Sequence, residues 1–258
     1  SISQTNAHLT PKAIREALQR FSTHSYTADK NIAVQSIQDL GEIANPEQNE
    51  QQSIETISAA NKELVIALGG DNSITYAAAL GVYGEKLSTA GLITLDAHHD
   101  LRDGNSNGSP VRRLIEAGLN PKQIVQIGIN DFSNSSDYEQ LAHSLGITVI
   151  TRTEVASIGI ASACKKALEI AGASLGPIHV DLDVDVCDQS VVPACPAAAP
   201  GGISAFELRQ AARLLASNSL VRGLDITEID ASRDTEDQRT IRLGALLVLE
   251  AVAGYLSR

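Results

Sequence analysis

Methionine is absent from all 258 residues, and cysteine occurs only at Cys164, Cys187 and Cys195. With no initiator, residue 1 reads as a processed end or an interior start, and natural sequence is expected upstream of Ser1. Three cysteines, odd in number and without CxxC spacing, exclude a disulfide framework and a thiolate zinc site, and they fit a reducing compartment. No apolar run approaches the roughly 18 residues of a membrane span, and no signal peptide opens the chain. A cytoplasmic protein without a membrane partner is expected. Basic charge is also scarce: 20 Lys and Arg stand against 31 Asp and Glu, a formal net charge of −11. No basic stripe exists to neutralise phosphates, which excludes nucleic acid as a partner. Clusters of acid concentrate cations instead.

Against these absences stands a hydrophobic fraction of 43%, enough for a large core in one domain spanning 1–258. Short apolar runs at 64–70, 91–97, 123–129, 147–151, 177–184 and 220–230 read as strands. Being apolar through most of their length, they suit a parallel sheet covered on both faces. Helical patterns lie between them near 48–60, 73–81, 110–118, 135–145, 153–172, 204–216 and 237–256. Another opens the chain at 10–21, with Thr10 as its expected N-cap and Pro11 in its first turn. This rhythm predicts an α/β fold, three layers α/β/α with a mostly parallel sheet and right-handed crossovers.

Ligands of such folds bind at the carboxyl ends of the strands, and acidic residues gather there. Asp71 follows the 64–70 run, Asp96, His98 and Asp100 follow 91–95, Asp181, Asp183 and Asp185 close 177–184, and Glu228 closes 220–226. In extended chain Asp96, His98 and Asp100 project to one side, as do Asp181 and Asp183. Carboxylates with one or a few imidazoles suit Mn²⁺ or Mg²⁺ better than Zn²⁺. Two such ions about 3.5–4 Å apart can share a hydroxide and polarise a substrate.

Each motif also has an ordinary reading. D-x-H occurs as a strand-end cap. D-x-D-x-D can be a calcium-loop fragment, although the loop glycine and closing glutamate are missing here. D-x-D can also carry a phosphatase nucleophile, without that family's remaining signature in this chain. "GGDNS" at 69–73 can be a tight turn in which Asp71 or Ser73 caps the next helix, and it is no phosphate loop. What favours metal is the repetition: uncompensated carboxylates converging from several strands repel one another, and a bound cation is their natural neutraliser.

In order and spacing, "GGDNS", "DAHHD", "HVDLDVDVCD" and "GLDITEID" resemble the arginase–agmatinase superfamily of ureohydrolases over nearly the whole chain. "DAHHDLR" with "SNGSPVRRLIEAGL" and "PACPAAAPGGIS" is most similar to its formimidoylglutamase branch. The resemblance implies an arginase-like three-layer fold, two Mn²⁺ ions per subunit, and a homo-oligomer, trimer or hexamer. The reaction it implies is hydrolysis of a small-molecule amidine, N-formimidoyl-L-glutamate, to L-glutamate and formamide by a metal-bridging hydroxide. The opening segment resembles sequence just after the family's first strand, so that strand is expected to be missing from the chain.

Residue by residue, the resemblance implies that Asp96 and Asp181 bridge both ions. Asp100 would complete one site, and His98 with Asp183 the other. Glu228 would lie by the amidine nitrogen, and Asp100 and Glu228 are the expected catalytic pair. Two positions depart from the pattern. A family histidine that ligates one ion is Asn72 here, a weaker ligand, so that site is expected to be loose. Near Asn107 arginases keep a proton-shuttling histidine, and His99 is a stand-in on the wrong side of its strand. The substrate's carboxylates call for cations: Arg102 first, then Arg112, with Asn105 and Asn107 as polar partners, since an arginine fork binds carboxylate in bidentate fashion. Alternatives are a hydrolase of a guanidino compound such as guanidinobutyrate or agmatine, and a non-catalytic member of the family.

Overall fold

In the computed structural model, which describes residues 5–27, 29–32 and 37–258, the expected apolar runs become the strands of one parallel sheet. Residues 1–4 of the opening segment lie outside the described residues. In chain order the elements are α1 (Thr10–Leu18), β1 (His24–Ser25), β2 (Lys30–Asn31), α2 (Glu50–Ala59), β3 (Val65–Leu68), α3 (Ile74–Tyr83) and β4 (Gly91–Leu95). Then come α4 (Pro110–Ala117), β5 (Ile124–Ile129), α5 (Ser136–Leu145), β6 (Thr148–Thr151), α6 (Arg152–Ile158) and α7 (Ile160–Ala171). The chain closes with β7 (Ile178–Asp183), α8 (Ala205–Ala216), β8 (Val221–Thr227) and α9 (Arg239–Tyr255). The six-stranded sheet runs in the order β3-β8-β7-β4-β5-β6, and every pairing in it is parallel.

Two apolar layers flank the sheet. Ile93, Leu95, Val125, Ile127, Val180, Leu182, Leu224 and Ile226 pack on one side with residues of α1 and α6–α9. Leu92 and Ile124 pack on the other with residues of α3, α4 and α5. The period-two alternation that makes this division also places polar residues on the α3 side, nearer the carboxyl ends. Thr94, Asp181 and Asp225 form one register row across β4, β7 and β8. Asp183 pairs with Thr227 one step further along.

Two local expectations need correction, and one element was not foreseen. Thr10 is the first residue of α1 rather than its cap, and its hydroxyl donates to the Ile229 carbonyl at 2.5 Å. The stretch expected as one helix at 153–172 is two, because Gly159 adopts φ 80° and ψ 150° between α6 and α7. The short antiparallel pair β1/β2 carried no periodicity from which to read it.

Gly128 does more than end a strand. It lies at φ +101° where the β5–β6 register shifts between Ile127 and Ile129. A Cβ there would meet Val186 Cγ2 at 2.3 Å. Its small size lets the 184–186 turn sit against the end of β5. Gly128→Ala is therefore expected to cost more than about 1 kcal/mol, through the left-handed φ and the clash together. Chemical denaturation measures this; an unchanged midpoint would remove the glycine's packing role.

Candidate active site

The site forms where β4, β7 and β8 end. The ladder runs one residue past β4, since the Asp96 N–H donates to the Ile127 carbonyl at 3.1 Å. The chain then turns tightly. The His98 N–H donates to Asp96 Oδ1 at 2.6 Å, and the Ala97 N–H donates to Asp185 Oδ1 at 2.9 Å. These bonds bring His98 Nδ1 to 2.7 Å from Asp185 Oδ2 and 3.5 Å from Asp96 Oδ1. Asp96, His98 and Asp185 thereby offer ligand atoms all within 4.8 Å of one another, a group able to hold a metal ion.

Asp185 reaches this group from the turn after β7, where Asp183 Oδ1 accepts its backbone N–H at 2.8 Å. In the sequence Asp185 stands only among the acids that close the 177–184 run, and the resemblance implies the bridging role for Asp181. In the structure Asp181 stays on the sheet face, one register step deeper, where its Oδ1 accepts from Thr227 Oγ1 at 3.2 Å. Alternation alone could not separate the three aspartates, because all sit two residues apart. The deciding signal, the end of β7 at Asp183, has no marker in the residues themselves.

Asp100 and Glu228 close the other side. Both are buried, and both adopt left-handed backbone, at φ 53° and φ 60°, a conformation costing a non-glycine residue about 1–3 kcal/mol. Asn72 holds both. Its Nδ2 donates to Asp100 Oδ2, its backbone N–H donates to Glu228 Oε1 at 2.9 Å, and its Oδ1 accepts from Thr75 Oγ1 at 2.6 Å. Asn107 Nδ2 donates to the same Glu228 oxygen at 2.9 Å.

The remaining sequence candidates divide. Asp71 makes a local turn ahead of α3, its Oδ1 accepting the Ser73 N–H at 3.1 Å, and neither Asp71 nor Ser73 supplies a side-chain cap to that helix. His99 is buried with Nδ1 2.7 Å from Gln126 Oε1, turned away from the site. Arg112 pairs with Asp103 at 2.7 Å and Glu116 at 3.1 Å, so its fork is engaged by its own neighbourhood. Arg113 binds Glu50 and stacks on Tyr76, 3.6 Å from the ring centroid. Arg102 and Asn105 are exposed beyond the 96–100 turn. His179 is buried in the core, with Nε2 2.9 Å from Asp225 Oδ2.

The electrostatics suit a cation. Asp96 Oδ2 and Asp181 Oδ2 are buried without a hydrogen-bond partner among the described residues. Burial, reinforced by the charge of Asp185, pushes Asp96 up to about 7. Burial likewise raises Asp100, Asp181 and Asp183 well above the usual carboxylate range, aided by neighbouring aspartates. Glu228 rises to about 7 through burial, against the two amide bonds that favour its charged form. For His98, burial alone would lower the pKa, but the hydrogen bonds to Asp185 and Asp96 outweigh it and raise the imidazole to about 11. The fold thus holds more buried negative charge than its own cations offset.

The arginase family model matches residues 2–254. A formimidoylglutamase of Halalkalibacterium halodurans is 36% identical, the match covering 98% of this chain and 83% of the relative. The crystal structure of the Bacillus subtilis formimidoylglutamase superposes with a TM-score of 0.91 at 31% identity, covering 98% of this chain and 83% of the other. A Trypanosoma cruzi formiminoglutamase structure with Mn²⁺ shares the fold at a TM-score of 0.89 and 20% identity, covering 99% and 88%.

The raised acids fix how stability varies with pH in metal-free protein. Between the usual carboxylate pKa, about 4, and about 7 for Asp96 and Glu228, the folded state binds more protons than the unfolded state. Stability therefore falls as pH rises through that window. Bound cation reverses the balance by favouring the ionised carboxylates. The thermal-midpoint gain on adding Mn²⁺ is expected to be larger at pH 8 than at pH 5. Melting curves with chelator and with Mn²⁺ at both values test this, and an equal gain would contradict it.

Proposed function

The chain belongs to the arginase family, and from that premise we propose that it hydrolyses N-formimidoyl-L-glutamate to L-glutamate and formamide with two Mn²⁺ ions. The observation that carries this reading is the likeness to formimidoylglutamases over 98% of the chain, at 36% and 33% identity. The buried, under-neutralised acid cluster supports the metal.

Asp96, His98 and Asp185 would hold metal, with Asp100 and Asp183 completing an oxygen-rich donor set of the kind Mn²⁺ accepts. When bound, the ions would supply Lewis acidity and make water a nucleophile near neutral pH. The chain's own groups do the rest. Glu228, fixed by the Asn72 N–H and the Asn107 amide, presents a carboxylate for the cationic amidine. Arg102 stands exposed beside the loop, with no ion pair to a described residue among the salt bridges of the structure, and offers its fork to a substrate carboxylate. Water adds across the amidine carbon, the bond to the glutamate nitrogen breaks, and that nitrogen leaves as the protonated amine.

Formamide release from N-formimidoyl-L-glutamate after incubation with Mn²⁺ tests the proposal, with agmatine and guanidinobutyrate as competing substrates. Turnover on the formimidoyl substrate alone is expected, and faster turnover of a guanidino compound would replace it. Arg102→Ala is expected to raise KM about tenfold or more while leaving kcat within a few-fold, since a charged hydrogen bond is worth roughly 1.5–3 kcal/mol. A KM that does not move would take the carboxylate contact away from Arg102. Asn72→His is expected to lower the Mn²⁺ concentration giving half activity, an imidazole being a better ligand than an amide.

A further inference from the structure

Residue 98 is held from both sides by a side chain that no motif singled out. Asn134 lies on the loop after β5. Its Nδ2 donates to the Ala97 carbonyl at 2.9 Å, and its Oδ1 accepts the His99 N–H at 3.0 Å. One planar amide therefore spans the His98 peptide pair, bonding the residue before it and the residue after it. The same loop adds a third contact, from the Asn130 N–H to the Ala97 carbonyl at 3.1 Å.

The rest of the turn is tied to other elements. The Ala97 N–H is taken by Asp185 and the His98 N–H by Asp96. The His99 carbonyl accepts from Gln126 Nε2 at 3.0 Å, and its ring meets Gln126 Oε1. Only the link between Ala97 C=O and His99 N–H depends on an amide from the 130–134 loop. Without it, the His99 N–H loses its partner and the Ala97 carbonyl keeps only the Asn130 N–H, so the backbone of His98 is held less tightly.

We propose that Asn134 is a positioning residue for His98, setting the imidazole in register with Asp96 and Asp185 before metal binds. The proposal rests on His98 being a metal ligand, the reading given above. A residue that acts on a ligand from outside the coordination sphere alters metal affinity by about 10–100-fold when removed, and this is the scale to look for.

Direct Mn²⁺ titration, by calorimetry or by loss of the free-ion electron paramagnetic resonance signal, needs no substrate and separates this idea from the choice of amidine. Asn134→Ala is expected to weaken Mn²⁺ binding about tenfold or more. KM should stay within twofold, and the melting point in chelator should stay close to the parent's. Asn134→Asp keeps the acceptor for His99 N–H and loses the donor to Ala97, and an intermediate affinity is expected. Ser133→Ala on the same loop should change nothing. Mn²⁺ affinity of Asn134→Ala within twofold of the parent overturns the proposal, as does a drop in melting point in chelator as large as that with Mn²⁺. If Asn134→Ala fails to fold, Asn134→Asp binding as tightly as the parent overturns it. Normal metal affinity in the parent with no turnover of the formimidoyl substrate would count against the proposed reaction and leave Asn134 to be judged by the titration. A parent chain that takes up no Mn²⁺ overturns both.

Discussion

Repulsion among carboxylates crowded into one dry edge of the sheet is the constraint to which the rest of the structure answers. Asp96, Asp100, Asp183, Asp185 and Glu228 are all buried at the ends of neighbouring strands. Charges a few ångströms apart in a protein interior interact by several kcal/mol, so such a cluster does not assemble by accident in a stable domain. The parallel sheet makes it possible. Apolar layers on both sides of the sheet anchor the strands, and the ladder fixes where the last residue of each points. Hydrophobic burial in the two flanking layers supplies the stability against which the repulsion is set.

The cluster also explains where strain is tolerated. Asp100 and Glu228 take left-handed backbone that neither residue prefers, and both are gripped by Asn72. Bent out of extended geometry, the two acids turn toward the space framed by β4 and β8 instead of continuing along their strands. This is the pattern of a site whose geometry is over-determined by its surroundings. The Asp185 carboxylate, spread between the Ala97 N–H and the His98 ring, plays the corresponding part from β7.

The sheet was legible in the sequence because apolar runs buried on both faces leave a strong, local mark. All six strands lie within the expected runs, and the acids at their carboxyl ends follow from the same register. What could not be read was geometry created after the strands stop. Asp181, Asp183 and Asp185 share one spacing, and only the position at which β7 becomes a turn sends Asp185 to the Asp96–His98 turn and leaves Asp181 on the sheet. Gly159 breaks a helix whose hydrophobic pattern is continuous. Thr10 has a cap's chemistry but spends its hydroxyl on Ile229. Asn134 acts across a gap in sequence of more than thirty residues from the loop it holds, through backbone groups that carry no residue identity.

The two asparagines that depart from the family pattern acquire a physical sense in this setting. A histidine at position 72 would add a ligand, whereas the Asn72 amide adds a donor to Asp100; the bond to Glu228 comes from the backbone N–H of the same residue. In a site oversupplied with negative charge, a neutral amide that donates to a buried acid favours its ionised form in the absence of any ion, at the expense of affinity once ions are present. Asn107 repeats the choice at Glu228, where an amide bond favours the carboxylate against the burial that opposes it. The pair therefore trades metal grip and titratable chemistry for a pocket that stays assembled when empty. Arginine-type catalysis, which leans on a titrating side chain near position 107, is the reaction this exchange disfavours.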